Sequence, residues 1–320
     1  MPEERLLAYY DLRCAPLSFD FAVYLSGLVG YARINGYKKI TLCIYAPFYR
    51  KSNPIELGYS RGYEDRKVRN VLIDTAGLIP MIDDIILSRS GMLPQSSHSY
   101  PKNYDPTDPA LQRGSGISLM PCTPIDIEKI YDGSGNPRIY KATDKGLEWI
   151  RLRFKKTKAT ITITLRNTEH NPYRNCSIDE FLLLWRSLKE AYPDKRIIVI
   201  PDQDDLLADY KSSGYDWELC PEAALDHELR LALYETSDLN ISWNTGPAIF
   251  LLFSDSKYIV FGFWNEASAV SSRAIFDRKG PRFGKQLPWA IPNTQVIDWT
   301  SSTETDGRHM FATAKKILDR

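Results

Sequence analysis

The chain has 320 residues, 43% hydrophobic and 25% charged, with 41 Lys and Arg against 40 Asp and Glu and a net charge of +1. That length exceeds one ordinary core and points to two domains of about 150 residues each, while the composition excludes a disordered or fibrous chain. The balanced charge gives no reason to expect a nucleic-acid partner. The opening residues Met1-Pro2-Glu3-Glu4-Arg5 do not resemble a secretory leader. The most apolar region, residues 248–253 and 258–263, is interrupted by Asp255 and Lys257. It falls short of the ~20 residues that span a bilayer. Cys14, Cys43, Cys122, Cys176 and Cys220 show no CxxC spacing, and His98, His170, His227 and His309 are as scattered. A cytoplasmic protein without a metal site is therefore expected, with peripheral contact at the inner face of the membrane left open.

Leu6-Leu7-Ala8-Tyr9-Tyr10, closed by Asp11, predicts a first strand. A helix is expected over residues 18–35, with Ser18 as N-cap, Asp20 in the first turn and Gly36 as the stop. Residues 39–45 read as a second buried strand, and strand, helix, strand makes a βαβ unit and a parallel sheet. A further helix is expected at 63–76 and a short apolar segment at 84–87. Residues 88–123, rich in Ser, Pro, Tyr and Gly, read as a long loop, either a surface insertion or a substrate-facing element. A hairpin-like turn at Asp132-Gly133-Ser134-Gly135-Asn136 precedes a charged helix at 144–154 and the basic run Lys155-Lys156-Thr157-Lys158.

The second half repeats this grammar. Strands are expected at 159–165, 196–201, 239–243 and 258–262, and helices at 178–191, capped by Ser177, and 222–236. The fold class is thus α/β, with two Rossmann-like doubly wound domains facing a cleft. Residues 1–154 are expected to form the first domain and 155–304 the second, and a C-terminal helix at 305–320 is a candidate to cross back to the first domain.

In an open parallel sheet, ligands bind beyond the carboxyl ends of the strands. Arg166 stands at such an end, followed by Asn167, Thr168, Glu169, His170 and Arg174. An arginine there suits a bidentate contact with phosphate or carboxylate, the alternative being an ion pair with Glu169 or with an inter-domain carboxylate. In "NISWNTGPAIFLLF", residues 240–253, the apolar run breaks at Asn244-Thr245-Gly246-Pro247 and resumes at once. Gly246 permits close backbone approach and Pro247 suits a first helical turn, so free N–H groups are expected to face an anion; a plain turn is the alternative. Asp202 and Asp204 in "PDQDD" match a metal-binding spacing, but acidic loop residues after a strand are common and no metal is assigned. Asp11 and Asp20 are the candidate general bases, with dipole complementation the alternative for Asp20. Glu228 joins the donor-side candidates, a solvated face with Arg230 and Glu235 being the alternative, while its neighbour His227 reads as surface or core. Lys285, in the Pro-punctuated loop at 284–293 with Trp289, is the last donor-side candidate.

The segment "LALYETSDLNISWNTGPAIFLLFSDSKYIVFGF", residues 231–263, resembles the donor-site segment of two-domain GT-B glycosyltransferases. It is closest in style to the heptosyltransferase-like enzymes of bacterial surface polysaccharides. Thr245-Gly246 and Phe261-Gly262 occupy that family's Thr-Gly and Phe-Gly positions. "ITLRNTEHNPYRN", residues 163–175, resembles the strand-plus-arginine element of fucosyltransferase-like enzymes. The resemblance covers residues 159–265 and implies that Thr245 and Gly246 touch a donor diphosphate. Asn244 stands where heptosyltransferases carry an acidic residue, and Ile249 where they carry a histidine. The resulting expectation is a metal-independent transferase moving sugar from a nucleotide-sugar to a glycan or glycolipid hydroxyl in surface polysaccharide synthesis. It uses no cofactor beyond that co-substrate. An epimerase of the same fold and a non-catalytic sugar- or nucleotide-binding protein are the alternatives.

Overall fold

The computed structural model describes residues 5–46, 61–89, 94, 96, 98–102, 104–105, 120–131, 135–155, 159–168, 172–203, 216–268 and 271–320. The chain divides into two units, Met1–Ile139 and Tyr140–Arg320.

In the first unit, β1 (Arg5–Asp11), α1 (Asp20–Ile34) and β2 (Lys39–Tyr45) form the expected βαβ element. There follow α2 (Arg61–Lys67), a π-helical stretch (Val68–Ile73), α3 (Asp74–Gly77), β3 (Ile82–Ser88), β4 (Ser99–Tyr100) and α4 (Pro124–Tyr131). The sheet runs β3-β2-β1-β4 with every pair parallel. Helix α1 is apolar nearly all round because it is buried over most of its length, and α4 lies against it. A Cβ at Gly30 would stand 2.6 Å from the Tyr131 ring, so that packing requires glycine. The sequence expectation differs in three places. Helix α1 starts after Phe19, not Ser18, whose hydroxyl donates to the Asp20 carboxylate at 2.9 Å and accepts from the Asp20 N–H at 3.3 Å. The segment read as loop contains β4, and Tyr100 there is buried among Tyr24 and Tyr31. Where a hairpin-like turn was expected, α4 precedes a described stretch without strand; residues 132–134 of that turn lie outside the described residues.

The second unit contains α5 (Asp144–Phe154), β5 (Thr160–Thr164), α6 (Ile178–Ala191), β6 (Arg196–Ile200), β7 (Glu218–Leu219), α7 (Glu222–Leu225) and α8 (His227–Glu235). It continues with β8 (Leu239–Trp243), α9 (Ile249–Leu252), β9 (Tyr258–Phe261), α10 (Arg273–Lys279), β10 (Gln295–Ile297) and α11 (Gly307–Leu318). The sheet order is β10-β9-β8-β5-β6-β7, all parallel. One face carries Ile161, Ile163, Ile241 and Ile259, packed with Phe181, Leu184 and Leu188 of α6 and Met310 and Ala314 of α11. The opposite face of β5 and β8 is polar and equally buried, with Thr162, Thr164, Asn240 and Ser242. Asn240 sits in its middle, accepting from the Thr162 hydroxyl at 2.5 Å and donating to the carbonyls of Tyr234 and Lys257 at 2.9 Å each.

Two boundaries move. Helix α5, expected in the first domain, belongs to the second unit, where Thr143 and Lys145 bond to Glu228 of α8. Helix α11, expected as a separate crossing helix, completes the second unit's core. The Glu180 carboxylate accepts from the Gly307 N–H at 2.7 Å, and Met310 is fully buried. Both shifts turn on contacts distant in sequence, Thr143 with Glu228 and Gly307 with Glu180.

Asn240→Ala leaves a threonine hydroxyl and two carbonyls without their buried partner. It is expected to lower stability by at least about 2 kcal/mol, read as a fall in the urea midpoint at unchanged slope.

Candidate functional site

The parallel register of the second sheet aligns its strand ends. Thr164 of β5 lies beside Ser242 of β8, so Arg166 and Asn244, each two residues further on, leave the sheet next to one another. After β5, the described residues on either side of 169–171 are joined by hydrogen bonds. The Asn175 amide donates to the Thr168 carbonyl at 2.9 Å, and the Arg166 carbonyl accepts from the Cys176 N–H at 3.0 Å and from its thiol at 3.2 Å. Burial pushes that thiol up to about 12, which keeps it a neutral donor. The Arg166 residue itself is 7% exposed.

Trp243 joins this loop to the next one. Its indole N–H donates to the Arg174 carbonyl at 2.7 Å, and the Arg174 guanidinium returns a bond to the Asn244 carbonyl at 3.3 Å. Gly262, at φ 62°, makes room for the ring: a Cβ there would lie 2.2 Å from the indole. Asn244 ties β8 to the end of β9 by donating its backbone N–H to Phe261 at 2.8 Å and its amide to Phe263 at 3.1 Å. A carboxylate in that place lacks the second donor, so the departure at Asn244 has a structural reason.

Thr245 is buried, with a hydroxyl that makes no capping bond to the turn that follows. That turn is a 3-10 stretch, Gly246–Ala248, leading into the four-residue α9. The expected helix start is thus shorter than the sequence suggests, and its aligned dipole is correspondingly small. Pro247 fits the turn as expected, and Gly246 has no positive φ. Lys285 is exposed beyond the end of β10, where the neighbouring Gln286 is hooked to Ile297. Glu228 is placed elsewhere than expected: it accepts from the Thr143 hydroxyl and pairs with Lys145 at 3.2 Å, holding α5 to α8. Asp202 accepts from the Asn167 N–H at 3.3 Å; Asp204, Glu169 and His170 lie outside the described residues.

The two carboxylates of the first unit differ sharply. Asp11 is fully buried and accepts from the Arg13 backbone at 2.8 Å, from its guanidinium at 2.6 Å and from the Tyr104 hydroxyl at 2.6 Å. Burial, with the Asp11 charge beside it, pushes the Tyr104 hydroxyl well above its usual range. Asp11 is therefore a structural anion in place of the expected base. Asp20 is exposed at the start of α1 with the Ser18 hydroxyl on its carboxylate at 2.9 Å.

Sequence reasoning missed Trp243 and Cys176 as supports, and a cluster of Phe263, Phe276, Phe283 and Trp299 beyond β9 whose ring centroids lie 5.1–5.3 Å apart. The density of aromatics after Phe261 was a signal for the cluster. The role of Trp243 depends on a glycine on another strand and had no local signal.

No family profile matches the sequence, and no curated protein sequence matches it. Solved structures do resemble it. A family 9 glycosyl transferase of Veillonella parvula superposes with a TM-score of 0.55 at 8% identity, over 99% of this chain and 98% of that one. The E. coli heptosyltransferase WaaC, solved with ADP, gives 0.55 at 9% identity, over 98% of this chain and 99% of that one. The E. coli ADP-heptose LPS heptosyltransferase II gives 0.50 at 8% identity over 99% of each. At such identities the likeness is one of fold, and it agrees with the Rossmann-like reading of both halves. Among the described residues no helix is long and apolar enough to cross a membrane.

Two measurements check this geometry. Gly262→Ala combines a positive φ with overlap onto the Trp243 ring, and a loss of roughly 2–5 kcal/mol is expected in urea unfolding. His227 is packed against Phe250, and burial, with Arg230 nearby, pushes its imidazole from 6.5 down to about 3. The folded protein keeps His227 neutral where the unfolded chain takes up a proton, so stability falls as pH drops from about 6.5. The slope from this one group approaches 1.4 kcal/mol per pH unit. His227→Gln is expected to flatten the stability profile between about pH 6 and 4, measured by urea midpoints at each pH.

Proposed function

We propose that this chain is a glycosyltransferase that moves a sugar from a nucleotide-sugar to an acceptor hydroxyl on a glycan or glycolipid in cell-surface polysaccharide synthesis. One observation carries the reading most directly. The loops after β5 and β8 are tied together through Arg174, Trp243 and Asn244 at the carboxyl edge of the second sheet, with Arg166 and Thr245 on the same edge. That edge is where open parallel sheets take nucleotides. The fold likeness to heptosyltransferases, one of them solved with ADP, supports the same substrate class and makes an ADP-sugar the first donor to test.

The chemistry follows from the residues. As the bond from the sugar's anomeric carbon to the diphosphate oxygen breaks, negative charge grows on the leaving diphosphate. Arg166 and Arg174 stabilise that charge, and the Thr245 hydroxyl donates to it. The acceptor oxygen forms the new bond to the anomeric carbon and gives up its proton. We assign the role of base to Asp20, exposed at the start of α1. Lys285 and Gly246 are assigned to the outer contacts of the donor. Charge neutralisation by fixed guanidinium groups implies donor binding that is independent of magnesium.

Thermal shift against ADP, GDP, UDP, CMP and dTDP, with magnesium and with EDTA, is the direct test. One nucleotide at ~100 times its dissociation constant is expected to stabilise the fold by roughly 2.7 kcal/mol, equally under both conditions. Arg166→Ala is expected to abolish that shift and turnover alike; full transferase activity in this variant refutes the assignment. Product analysis separates transfer from epimerisation of the donor. Binding without turnover on any acceptor identifies a sugar- or nucleotide-binding protein instead.

A further inference from the structure

Arg230 lies on α8, is 1% exposed, and is the largest fully buried side chain among the described residues. Apart from the Tyr234 ring, whose centroid lies 5.8 Å from its guanidinium carbon, its surroundings do not match its charge. Its one side-chain hydrogen bond among the described residues runs from Nη1 to the Tyr234 hydroxyl at 2.9 Å, and its Nε has no partner. The Tyr234 hydroxyl in turn meets the Thr164 hydroxyl at 2.9 Å. No carboxylate among the described residues pairs with the guanidinium, and the neighbouring His227 is neutral at ordinary pH. An interior cation without a counter-charge is strongly unfavourable, and proteins keep one only where something compensates it.

Topology shows what reaches it. β5 and β8 are parallel, so α8, which leads into β8, runs back against the strand direction. One turn from Tyr234 to Arg230 is therefore a step toward the carboxyl edge of the sheet. Tyr234 already touches Thr164, the last residue of β5. One turn further, His227 packs at 5.0 Å from Phe250, in the short helix that follows Thr245-Gly246-Pro247. Arg230 thus stands behind the edge that carries Arg166 and Thr245, between the end of β5 and the segment after β8.

We propose that Arg230 is the interior cation of an anion site at this edge, with its counter-charge supplied by the diphosphate of a bound ligand. The inference rests on the donor site assigned above and extends it to a residue on a different element. Tyr234 is a positioning residue in this arrangement: its hydroxyl fixes one arm of the guanidinium and leaves Nε available.

The test uses the full chain and two probes, inorganic pyrophosphate and the nucleoside diphosphate selected by thermal shift, each measured by titration calorimetry. Arg230→Met keeps most of the volume and removes the charge. Without ligand it is expected to be at least as stable as the parent, because an uncompensated buried charge has gone. Both probes are expected to bind it at least about 30-fold more weakly, equivalent to roughly 2 kcal/mol. Arg230→Lys, which keeps the charge without the planar fork, is expected to lose about ten-fold, and it provides the reading if the methionine variant does not fold. An Arg230→Met protein that is less stable without ligand and binds both probes like the parent overturns the inference, making Arg230 a structural cation. If the parent binds pyrophosphate but no nucleoside diphosphate, and Arg230→Met loses it, the anion site stands and the nucleotide-sugar reading falls. Nucleotide binding unchanged in both variants leaves that reading standing and removes this one. A parent that binds neither probe refutes both.

Discussion

The carboxyl edge of the second sheet depends on one steric arrangement: the Trp243 indole fills the volume that any side chain at position 262 would need. With the ring there, its N–H reaches the Arg174 carbonyl and the loop after β5 is fixed to the end of β8. Arg174 then reaches Asn244, and Asn244 reaches both Phe261 and Phe263 beyond β9. Three strand ends are held by one ring and the hydrogen bonds around it. Arg174 is thereby held in place by packing and by its bonds to the Trp243 indole and the Asn244 carbonyl.

The two units treat buried charge in opposite ways. In the first, Asp11 is matched inside the fold by Arg13 and Tyr104, and Arg13 also lies 4.6 Å from the Tyr45 ring centroid. Such a group is satisfied and has little capacity left for a ligand. In the second, the Arg230 guanidinium on α8 is 1% exposed and no carboxylate among the described residues pairs with it. The acidic side chain nearest in sequence to Arg230, Glu228, is turned to Thr143 and Lys145 instead.

Hydrophobic periodicity was sufficient to find β1, β2, β5, β6, β8, β9 and the main helices, but not the short β7 and β10, since a buried parallel strand is an unbroken apolar or β-branched run and Thr160–Thr164 and Arg196–Ile200 are such runs. Their carboxyl ends, and hence Arg166 and the Asn244 turn, followed from the same pattern. What it could not show was set by contacts distant in sequence. Asp11 looked available because Tyr104, 93 residues away, was invisible to it. Glu228 looked like a ligand contact because nothing local says that α5 packs on α8. Strand β4 has two residues and no period to detect. Gly-Pro marks where the helix after Thr245 begins but carries no information about its end, and it is only four residues long after a 3-10 turn.

The polar face of β5 and β8 has a consequence for how the chain finds its register. A slip of one residue between those strands exchanges the faces of every side chain on the moved strand. In most sheets such an error exposes apolar groups on one side only. Here it also drives Thr162 and Thr164, or Asn240 and Ser242, into the layer of Phe181, Leu184 and Met310, with their hydrogen bonds broken. Misaligned pairings are thus disfavoured from both faces, and the row of buried hydroxyl and amide groups works as a proofreading device for the central strand pair.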